Sequence, residues 1–395
     1  PRPADHVPDD QDCNARTGRA MTLVFWAAAF LIFYTYLGYV AWLWLQAQLS
    51  PWPVLRGGPE APYISILMVV RNEERWIEGK LRNLLDLQYP PERCQIVVVS
   101  DGSTDKTDTI LREYANGPRI QVLMNQLSRG KAAGLNDAID LAAGEIVILT
   151  DARQKIEPGA IRLLMENFVD PEVGCVSGAL MLGHPESGEA GKGMGIYWRV
   201  EKRIRELECE SGSVVGATGA LYAVRSELLT KVPEGTILDD VYIPMQVVRQ
   251  GKRVIFDGRA RAWDIPDLGG GLEFARKVRT LSGNYQLVQL APWLISRQNP
   301  ILGRFISHKL LRLAVPFAMA FMLLASLWLH GPFYRAALGL QLAFYALAAG
   351  ALMRAPKAGA ISRIADAAGT FLLLNTAALV AFSNFVTGRK AAWSR

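Results

Sequence analysis

The chain has 395 residues, of which 50% are hydrophobic, and a formal net charge of +6 at pH 7. This length exceeds one average domain, and so high an apolar fraction is unusual for a soluble chain and favours a membrane protein. The positive charge is better explained by membrane lipids than by nucleic acid, because the basic residues lie largely beside apolar stretches, where anionic headgroups are the nearer partner.

The first predicted element is an apolar helix at Met21–Leu45, which follows an N-terminal tail of residues 1–20. No charged residue occurs between Ala20 and Leu55, and a helix that crosses a bilayer needs about 20 apolar residues. The stretch is too long for the core of a signal peptide and is rich in Trp and Tyr, which suit membrane interfaces. We therefore expect a retained membrane anchor.

The middle of the chain, residues 60–290, alternates strand and helix patterns. Short apolar runs with many β-branched residues are typical of strands buried on both faces of a parallel sheet. The predicted strands are Tyr63–Val70, Gln95–Ser100, Ile120–Met124 and Ile146–Thr150, and the predicted helices are Trp76–Leu87, Thr107–Tyr114 and Lys131–Ala142. This alternation predicts an α/β domain with an open, mostly parallel, Rossmann-like sheet.

Three of the predicted strands run directly into polar residues. Asn72 and Glu73 follow the first strand, Asp101 and Ser103 the second, and Asp151 the fourth. Ligands of open α/β sheets bind at the carboxyl ends of the strands. One such carboxylate alone would be read as an ordinary turn or helix cap, but three in series indicate a nucleotide site.

Three further apolar stretches long enough to cross a bilayer follow residue 312. They are Leu313–Leu329, Ala336–Met353 and Ala367–Val386. A buried helical core is the alternative, but the stretches are clustered and carry basic residues at their ends, which favours a membrane. The preceding segment, 291–312, mixes apolar and basic residues as interfacial helices do, and residues 387–395 form a C-terminal tail.

Lys and Arg near the helix ends indicate the orientation, because they are enriched on the cytoplasmic side. The clusters before the second helix and between the third and fourth predict a cytoplasmic central domain at a bacterial-type inner (plasma) membrane. Four spanning helices would then place both termini outside, yet both termini carry basic residues, which favour the cytoplasmic side. One of the four helices could therefore be re-entrant or interfacial. The two clusters are Arg297, Arg304, Lys309 and Arg312, and Arg354, Lys357 and Arg363; the terminal residues are Arg16, Arg19, Arg389 and Lys390.

The cysteine pattern indicates neither a zinc site nor a disulfide framework. Cys13, Cys94, Cys175 and Cys209 are widely separated and form no CxxC pair. Metal sites and disulfide scaffolds have closer and more regular spacings, so we expect reduced thiols.

The order and spacing of the motifs resemble those of a family 2 glycosyltransferase of the GT-A fold, of the membrane-integrated kind that includes the hyaluronan, chitin and cellulose synthases. The resemblance extends over most of the chain. The matching segments are VVRNEE, VVVSDGSTDKT, RGKAAGLNDAI, ILTDARQ, VVGATGALYAVR, ILDDVYIPMQVVRQGKRV and RKVRTLSGN, the last of which is followed by a membrane anchor. A nucleotide-sugar donor and a cytoplasmic GT-A domain at residues 60–290 are implied.

By this resemblance, Asn72, Glu73 and Asp101 would bind the nucleoside of a uridine-type donor. Carboxylates suit that role, because they accept hydrogen bonds from a ring N–H and from sugar hydroxyls. Lys131 would reach the diphosphate as a point charge beside Gly130, where the backbone can approach closely. The alternative for Lys131 is a solvated lysine at the start of a helix.

Asp151 corresponds to the first acid of the DxD motif, whose carboxylates hold Mg²⁺ or Mn²⁺ on the sugar diphosphate. The third position is Arg153, so this chain has D-A-R and lacks one acidic ligand. Either Asp151 holds the metal with water and phosphate oxygens, or Arg153 supplies positive charge to the diphosphate directly. Metal dependence stays open at this stage.

Asp239 and Asp240 correspond to the family's acidic pair, in which the second carboxylate is the general base for the acceptor hydroxyl. Adjacent acids can also be solvated surface charge. They stand between Gly-Thr-Ile-Leu and an apolar run, which favours a placed pair with Asp240 as the base. Direct displacement by such a base needs a carboxylate within hydrogen-bond reach of the hydroxyl and would invert the anomeric configuration.

Thr218 and Gly219 would line the acceptor channel, although a tight structural turn explains this small-residue segment nearly as well. Arg276 and Arg279 fall in the family's QxxRW element, with Arg279 in the arginine place as a diphosphate clamp and Arg276 in place of Gln. A basic membrane-surface helix is the alternative for this cluster. Thr280 replaces the Trp, whose flat face would stack on the acceptor sugar, and this weakens the case for processive synthesis.

Three functions remain open. The first is a polysaccharide synthase that elongates and exports a glycan, with a homodimer as one way to complete a pore from so few helices. The second is non-processive transfer of one sugar to a lipid or polyprenyl-phosphate acceptor. The third is an inactive membrane scaffold or nucleotide-sugar sensor. The D-A-R motif permits it, but it is disfavoured because the chain retains Asp101, Lys131, Asp151, Asp240 and Arg279.

Overall fold

The computed structural model describes residues 10–58, 61–115, 117–183, 196–264, 270–353 and 360–389. Arg354, Lys357 and Lys390 lie outside the described residues, as do the side chains of Cys13 and Arg363. The chain divides into two compact units: Pro1–Ala41 with Ser307–Val380, and Trp42–Ile306 with Ala381–Arg395.

The larger unit is built on one sheet. Its described strands are β1 Ile64–Val70, β2 Cys94–Asp101, β3 Ile120–Asn125, β4 Ile146–Leu149, β5 Lys155–Ile156, β6 Val173–Leu182, β7 Tyr222–Arg225 and β8 Arg253–Asp264. β1 pairs in parallel with β2 and β4, and β2 pairs in parallel with β3. All residues of β1 are buried, as expected for a central strand covered on both faces.

In the second half of the sheet, β7 and β5 run opposite to the other strands. β7 is antiparallel to β4 and to β6, while β6 is parallel to β8 and β5 is antiparallel to β8. The strand order is β3-β2-β1-β4-β7-β6-β8-β5. The predicted α/β fold with a mostly parallel sheet is confirmed, and the four strands that the sequence predicts form its continuous parallel part, β3-β2-β1-β4.

Helices connect and cover the strands. They are α3 Ile77–Leu85, α4 Thr107–Tyr114, α5 Lys131–Leu141, α6 Ala160–Met165, α7 Ile196–Glu210, α8 Asp239–Arg249 and α9 Gly270–Leu290. In α3, the buried residues Ile77, Lys80, Leu81 and Leu84 recur three or four positions apart. This spacing places them on one face of the helix, so a lysine shares the apolar face of α3.

Two arginines bind the C-terminal end of α7, where backbone carbonyls lack partners within the helix. Arg304 donates to the carbonyl oxygens of Glu208 and Ser211. Arg253, which is 2% exposed, donates to the carbonyl oxygen of Cys209 at 3.2 Å. Arg253 belongs to β8 and Arg304 to the short helix α10 Leu302–Phe305, so both elements are fixed to the same helix end.

The smaller unit contains most of the residues of four long apolar helices. Four helices are long and apolar enough to cross a membrane among the residues searched, at Arg16–Leu49, Leu302–Trp328, Pro332–Leu352 and Ile364–Val386. The elements that form them are α1 Asp10–Phe33, α2 Tyr39–Leu49, α11 Leu311–Trp328, α12 Pro332–Leu352 and α13 Ala360–Val386, with π-helical turns at Tyr34–Gly38 and Ile306–Leu310. Each overlaps a stretch predicted from the sequence.

The second apolar helix begins earlier than predicted, and a polar contact joins it to the third. The predicted interfacial segment contains a 3₁₀ turn at Pro292–Ile295, and the helix that begins at Leu302 continues without a break into α11. Within the unit, Gln341 of α12 donates to the hydroxyl of Ser326 of α11 at 2.9 Å. Such hydrogen bonds stabilise helix pairs in an apolar solvent.

The cysteines with described side chains agree with the sequence interpretation. Cys94, Cys175 and Cys209 are buried and form no disulfide. Burial raises the pKa of the Cys94 thiol to about 11, so this thiol is protonated and unreactive at neutral pH.

Candidate functional site

A cavity of about 180 Å³ opens where β4 ends and α8 begins. Its lining carries both signs of charge and brings together residues that lie far apart in the sequence. The described lining residues are Lys131, Asp151, Gly219, Ile237, Leu238, Asp239, Asp240, Arg279 and Thr280. The cavity is therefore the natural candidate for the active site, because the motif residues of five separate segments meet there.

Lys131 is the first residue of α5 and holds two carboxylates of the cavity. Its Nζ lies 3.0 Å from Oδ1 of Asp151 and 3.2 Å from Oδ2 of Asp239. Burial disfavours the charged ammonium, but the two carboxylates outweigh it and raise the pKa of Lys131. Lys131 is thus a fully charged cation at neutral pH, placed between the acids of two different elements.

Asp239 and Asp240 form the first turn of α8. Asp239 is 5% exposed, whereas Asp240 is half-buried and lines the cavity. Backbone N–H groups at the start of a helix stabilise negative charge. The sequence left a solvated surface pair as an alternative, and the burial of Asp239 argues against it.

Gly219 separates the carboxylates of β4 and α8. Its backbone N–H donates to Oδ2 of Asp240 at 3.3 Å. A Cβ at this position would lie 3.2 Å from Oδ2 of Asp151 and 3.6 Å from Oδ2 of Asp240. A side chain here would press on the carboxylate of Asp151 and touch that of Asp240, so glycine leaves room for both acids to face the same space. The neighbouring Thr218 donates its N–H to Oγ of Ser177.

Glu73 lies at the same sheet edge, as predicted. Burial raises the pKa of its carboxyl, and the negative charge of Asp151 raises it further, while Arg153 opposes the shift. Asn72 has a left-handed backbone with φ of 55°, and its side-chain oxygen accepts the N–H of Thr104 at 2.8 Å. Asn72 therefore organises the loop after β2, and its contact with a nucleoside stays a prediction.

Asp101 holds the loop that leads into α5. One of its oxygens accepts from Oγ of Ser128 at 2.7 Å and from the N–H of Gly130 at 2.9 Å, and the other accepts from the N–H of Arg129 at 2.8 Å. Gly102 has φ of 63°, and a Cβ there would lie 2.5 Å from the nitrogen of Ser128. Both carboxylate oxygens of Asp101 are engaged within the protein, so its role toward a nucleoside also stays a prediction.

Arg153, at the third position of D-A-R, forms an ion pair with the end of β8. Its Nε and Nη2 donate to the two carboxylate oxygens of Asp264 at 2.8 and 2.5 Å. The side chains are 18% and 9% exposed. This contact engages one edge of the guanidinium with a protein carboxylate, so direct binding of a diphosphate by Arg153 is not yet supported.

The two arginines of α9 that were predicted to bind the donor lie in different surroundings. Arg279 and Thr280 line the cavity. Arg276, one turn earlier, is exposed and is absent from the described lining. The structure thus brings Arg279, but not Arg276, to the acidic residues.

The predicted divalent metal can be tested against the acids of the cavity. No group of three or more His, Cys, Asp or Glu side chains is placed to hold a metal among the residues searched. Asp151 is 40% exposed, and Mg²⁺ is often bound by one or two carboxylates completed by phosphate oxygens and water. The residues therefore fit an ion carried by a diphosphate with Asp151 as protein ligand, and they do not fit an all-protein metal cage.

Two residues close to this site were not predicted. Lys80 of α3 is buried beneath the loop that carries Asp151, and Asp264 pairs with Arg153. The sequence does contain a signal for Lys80, because it is a lysine at an apolar position of a short amphipathic helix. Asp264 follows an ordinary strand, and nothing in the local sequence distinguishes it.

The central part of the chain matches a known family. Residues 65–232 match the family model described as glycosyl transferase family 2. A poly-beta-1,6-N-acetyl-D-glucosamine synthase of Staphylococcus epidermidis is 26% identical over 236 residues, which are 58% of this chain and 56% of the relative. The synthase of the same name from Staphylococcus aureus strain COL is 27% identical over 231 residues, 57% of this chain and 55% of the relative. The matches span about half the length of these curated relatives.

A solved structure resembles nearly the whole chain. The mannosyltransferase PcManGT from Pyrobaculum calidifontis, in complex with GDP-Man and Mn²⁺, has a TM-score of 0.69 and 21% sequence identity. The likeness covers 93% of this chain and 99% of that one. At this identity it concerns the fold alone, and the predicted GT-A architecture is confirmed.

Proposed function

Because the chain carries a family 2 glycosyltransferase domain, we propose that it transfers a sugar from a nucleotide-sugar to a growing polysaccharide at a membrane. The observation that carries this proposal is the cavity in which Lys131 joins Asp151 and Asp239 while Asp240 faces the same space. A UDP-sugar is the donor class that the sequence favours. The relatives named as polysaccharide synthases support a glycan acceptor.

Asp240 is the proposed general base. It is half-buried at the start of α8, lines the cavity and accepts a hydrogen bond from Gly219. A carboxylate so placed takes the proton of the acceptor hydroxyl as that oxygen attacks the anomeric carbon. Attack and departure then occur on opposite faces of the sugar, so the configuration inverts.

Asp239 serves a different role from its neighbour. Its carboxylate is paired with Lys131 at 3.2 Å and is buried, so it is less available to a hydroxyl in the cavity. It orients the ammonium that the diphosphate would meet. In this proposal Asp240 is the base, and Asp239 orients Lys131.

Lys131 and Arg279 are the proposed counter-charges for the departing nucleoside diphosphate. Both line the cavity, and fixed cations aimed at developing negative charge lower the barrier of such a transfer. Mg²⁺ or Mn²⁺, held by Asp151 and phosphate oxygens, would add positive charge at the same diphosphate. The Mn²⁺ and nucleotide-sugar in the structurally similar mannosyltransferase support including both in any assay.

The helices and basic clusters support a membrane location with the catalytic domain in the cytoplasm. Four helices are long and apolar enough to span a bilayer among the residues searched. Four basic residues lie before the second of these helices or in its first part. They are Arg297, Arg304, Lys309 and Arg312. Under the positive-inside rule these residues favour the cytoplasmic side. Export of the product and a homodimer that completes a pore belong to the same proposal.

One observation favours a second function, the transfer of a single sugar to a lipid or polyprenyl-phosphate acceptor. Thr280 lines the cavity at the place where the resembled synthases have Trp. A threonine offers no flat face on which an acceptor sugar could stack. Loss of that stacking would shorten the time for which a growing glycan stays bound.

The deciding experiment is radiolabelled transfer by the purified protein in detergent. A panel of UDP- and GDP-sugars is tested with and without Mg²⁺ or Mn²⁺, and the product is sized. High-molecular-weight glycan supports the synthase, whereas a single lipid-linked sugar supports the second function. No turnover of any donor by a folded protein that binds nucleotide would contradict both and indicate a scaffold or sensor.

A further inference from the structure

Helix α3 carries a charged side chain into the interior of the domain. Lys80 is 3% exposed, and its Nζ donates to Oγ1 of Thr150 at 2.8 Å and to the carbonyl oxygen of Gln154 at 2.7 Å. Both acceptors are neutral. Burial of an ammonium against neutral acceptors is costly, because the charge loses its hydration without gaining a salt bridge.

The two acceptors frame the loop that presents Asp151. Thr150 immediately precedes Asp151, and Thr150 and Gln154 are the first and last of the five residues between β4 and β5. The hydroxyl of Thr150 in turn donates to the carbonyl oxygen of Ala220 at 2.7 Å. Ala220 directly follows Gly219, so one ammonium connects the loop of Asp151 to the segment that separates Asp151 from Asp240.

The N-terminal end of α3 is hydrogen-bonded to Glu73, which follows β1. The N–H groups of Trp76 and Ile77 donate to the carbonyl oxygen of Glu73, each at 2.9 Å. Lys80 follows one turn later on the buried face. The helix therefore joins the residue predicted to contact the nucleoside to the loop predicted to contact the diphosphate.

We propose that Lys80 is a positioning residue for glycosyl transfer, which fixes the backbone that presents Asp151 and Gly219 to the cavity without touching donor or acceptor. The inference rests on the proposed function, since it assigns Asp151 and Gly219 to the site of transfer. It adds a residue on α3, outside the motifs of the sequence, to the machinery of the reaction.

The fold itself does not depend on an ammonium at this position. Asn83, one turn further along α3, already holds β5: its amide donates to the carbonyl oxygen of Ile156, and its oxygen accepts the N–H of Ile156, both at 2.8 Å. The other buried residues on this face of α3 are mainly apolar. Burial lowers the pKa of Lys80 to about 7, although the charge of Asp151 opposes the shift. An apolar residue would thus relieve a cost to folding, and a purely structural role does not account for the lysine.

The test compares Lys80→Met, Thr150→Val, the double variant and Lys155→Met in the full chain. Lys155→Met is the matched control, because Lys155 is an exposed lysine on the adjacent strand β5. We measure kcat and KM with the donor that the wild type uses, together with the unfolding midpoint of each variant. Lys80→Met is expected to lower kcat by on the order of 10²-fold, as a small misplacement of reacting groups does, with an unfolding midpoint no lower than that of the wild type.

Thr150→Val is expected to lower kcat in the same direction, and the double variant to be no worse than Lys80→Met, because both residues act through one chain of hydrogen bonds. Lys155→Met should match the wild type. A Lys80→Met protein with wild-type kcat and KM overturns the inference. So does a loss of activity that follows a lowered unfolding midpoint, or losses that multiply in the double variant.

A second measurement separates this inference from the proposed function. If the wild type turns over no donor of the panel, the proposed function fails. Lys80 is then judged by unfolding alone: Asp151→Asn should shift the midpoint by different amounts in the wild type and in Lys80→Met, because ammonium and carboxylate interact electrostatically. Equal shifts in the two backgrounds reject the inference.

Discussion

Arg153 and Asp264 form a bidentate ion pair between residues 111 positions apart in the sequence. Arg153 stands where the resembled enzymes have the second acid of the DxD motif. The guanidinium is paired with a carboxylate from the end of β8. Removing an acid from the motif therefore places a cation near the site, and the fold neutralises that cation with an acid from another strand.

Breaking this pair from one side should destabilise the domain. Arg153→Met leaves the carboxylate of Asp264, which is 9% exposed, without its cation, and such a change typically costs about 3–5 kcal/mol. The unfolding midpoint of the purified protein should fall clearly. The double variant Arg153→Met with Asp264→Leu should recover part of the loss, because an apolar pair needs no charge partner. A single variant as stable as the wild type would refute this interpretation.

Gly219→Ala should reduce transfer while leaving the domain folded. The added Cβ would lie 3.2 Å from a carboxylate oxygen of Asp151, so this carboxylate must shift by a few tenths of an ångström, and a small misplacement of reacting groups lowers the rate. Gly79→Ala is the control, since Gly79 is an exposed helical glycine with nothing within 4 Å of an added Cβ. Initial rates and unfolding midpoints are measured for both. Full activity of Gly219→Ala would show that the acids need not share this space.

Asp240→Asn should abolish transfer and leave nucleotide binding largely intact. The amide keeps the size of the side chain but cannot take a proton from the acceptor hydroxyl. The control is Asp140→Asn, which removes one acid of an exposed pair with Lys231 and should behave as the wild type. Transfer is measured with radiolabelled donor and binding by calorimetry. Full transfer by Asp240→Asn would reject the assignment of the base.

The stability difference between Lys80→Met and the wild type should depend on pH. Burial lowers the pKa of Lys80 from 10.5 to about 7, so between these values the unfolded wild type binds more protons than the folded one. The stability of the wild type relative to the variant therefore rises with pH through this window, and the penalty of the buried charge is greatest below pH 7. Unfolding midpoints at pH 6 and pH 9 measure this, since all other groups titrate alike in both proteins. A difference that is the same at both values would contradict the buried, charged lysine.

The first half of the catalytic domain could be predicted closely from the sequence. Its strands are short apolar runs that end in polar residues, and α4 has the predicted bounds Thr107–Tyr114. The second half could not be predicted in this way. β6 pairs with β8, about 80 positions further along the chain, and β7 lies antiparallel between β4 and β6. Such pairings depend on contacts between distant segments, which leave no local pattern.

The site divides in the same way. Motif order identified the residues that face the cavity, such as Lys131, Asp151 and Asp240, because they lie at strand and helix ends. Lys80 and Asp264 were not predicted, because each contacts a residue of the loop after β4 and neither belongs to a motif. Lys80 nevertheless interrupts an apolar helix face, and this interruption is visible in the sequence.

The two arginines at the end of α7 have a structural consequence. Arg304 and Arg253 hold carbonyl oxygens of the turn that ends α7, and Arg304 also binds the carbonyl oxygen of Ser213 at 3.0 Å. From Ser213 only six residues lead to Gly219. Hydrogen bonds of one arginine therefore link α10, which leads into the second apolar segment, to the short run of chain that ends in the lining of the cavity.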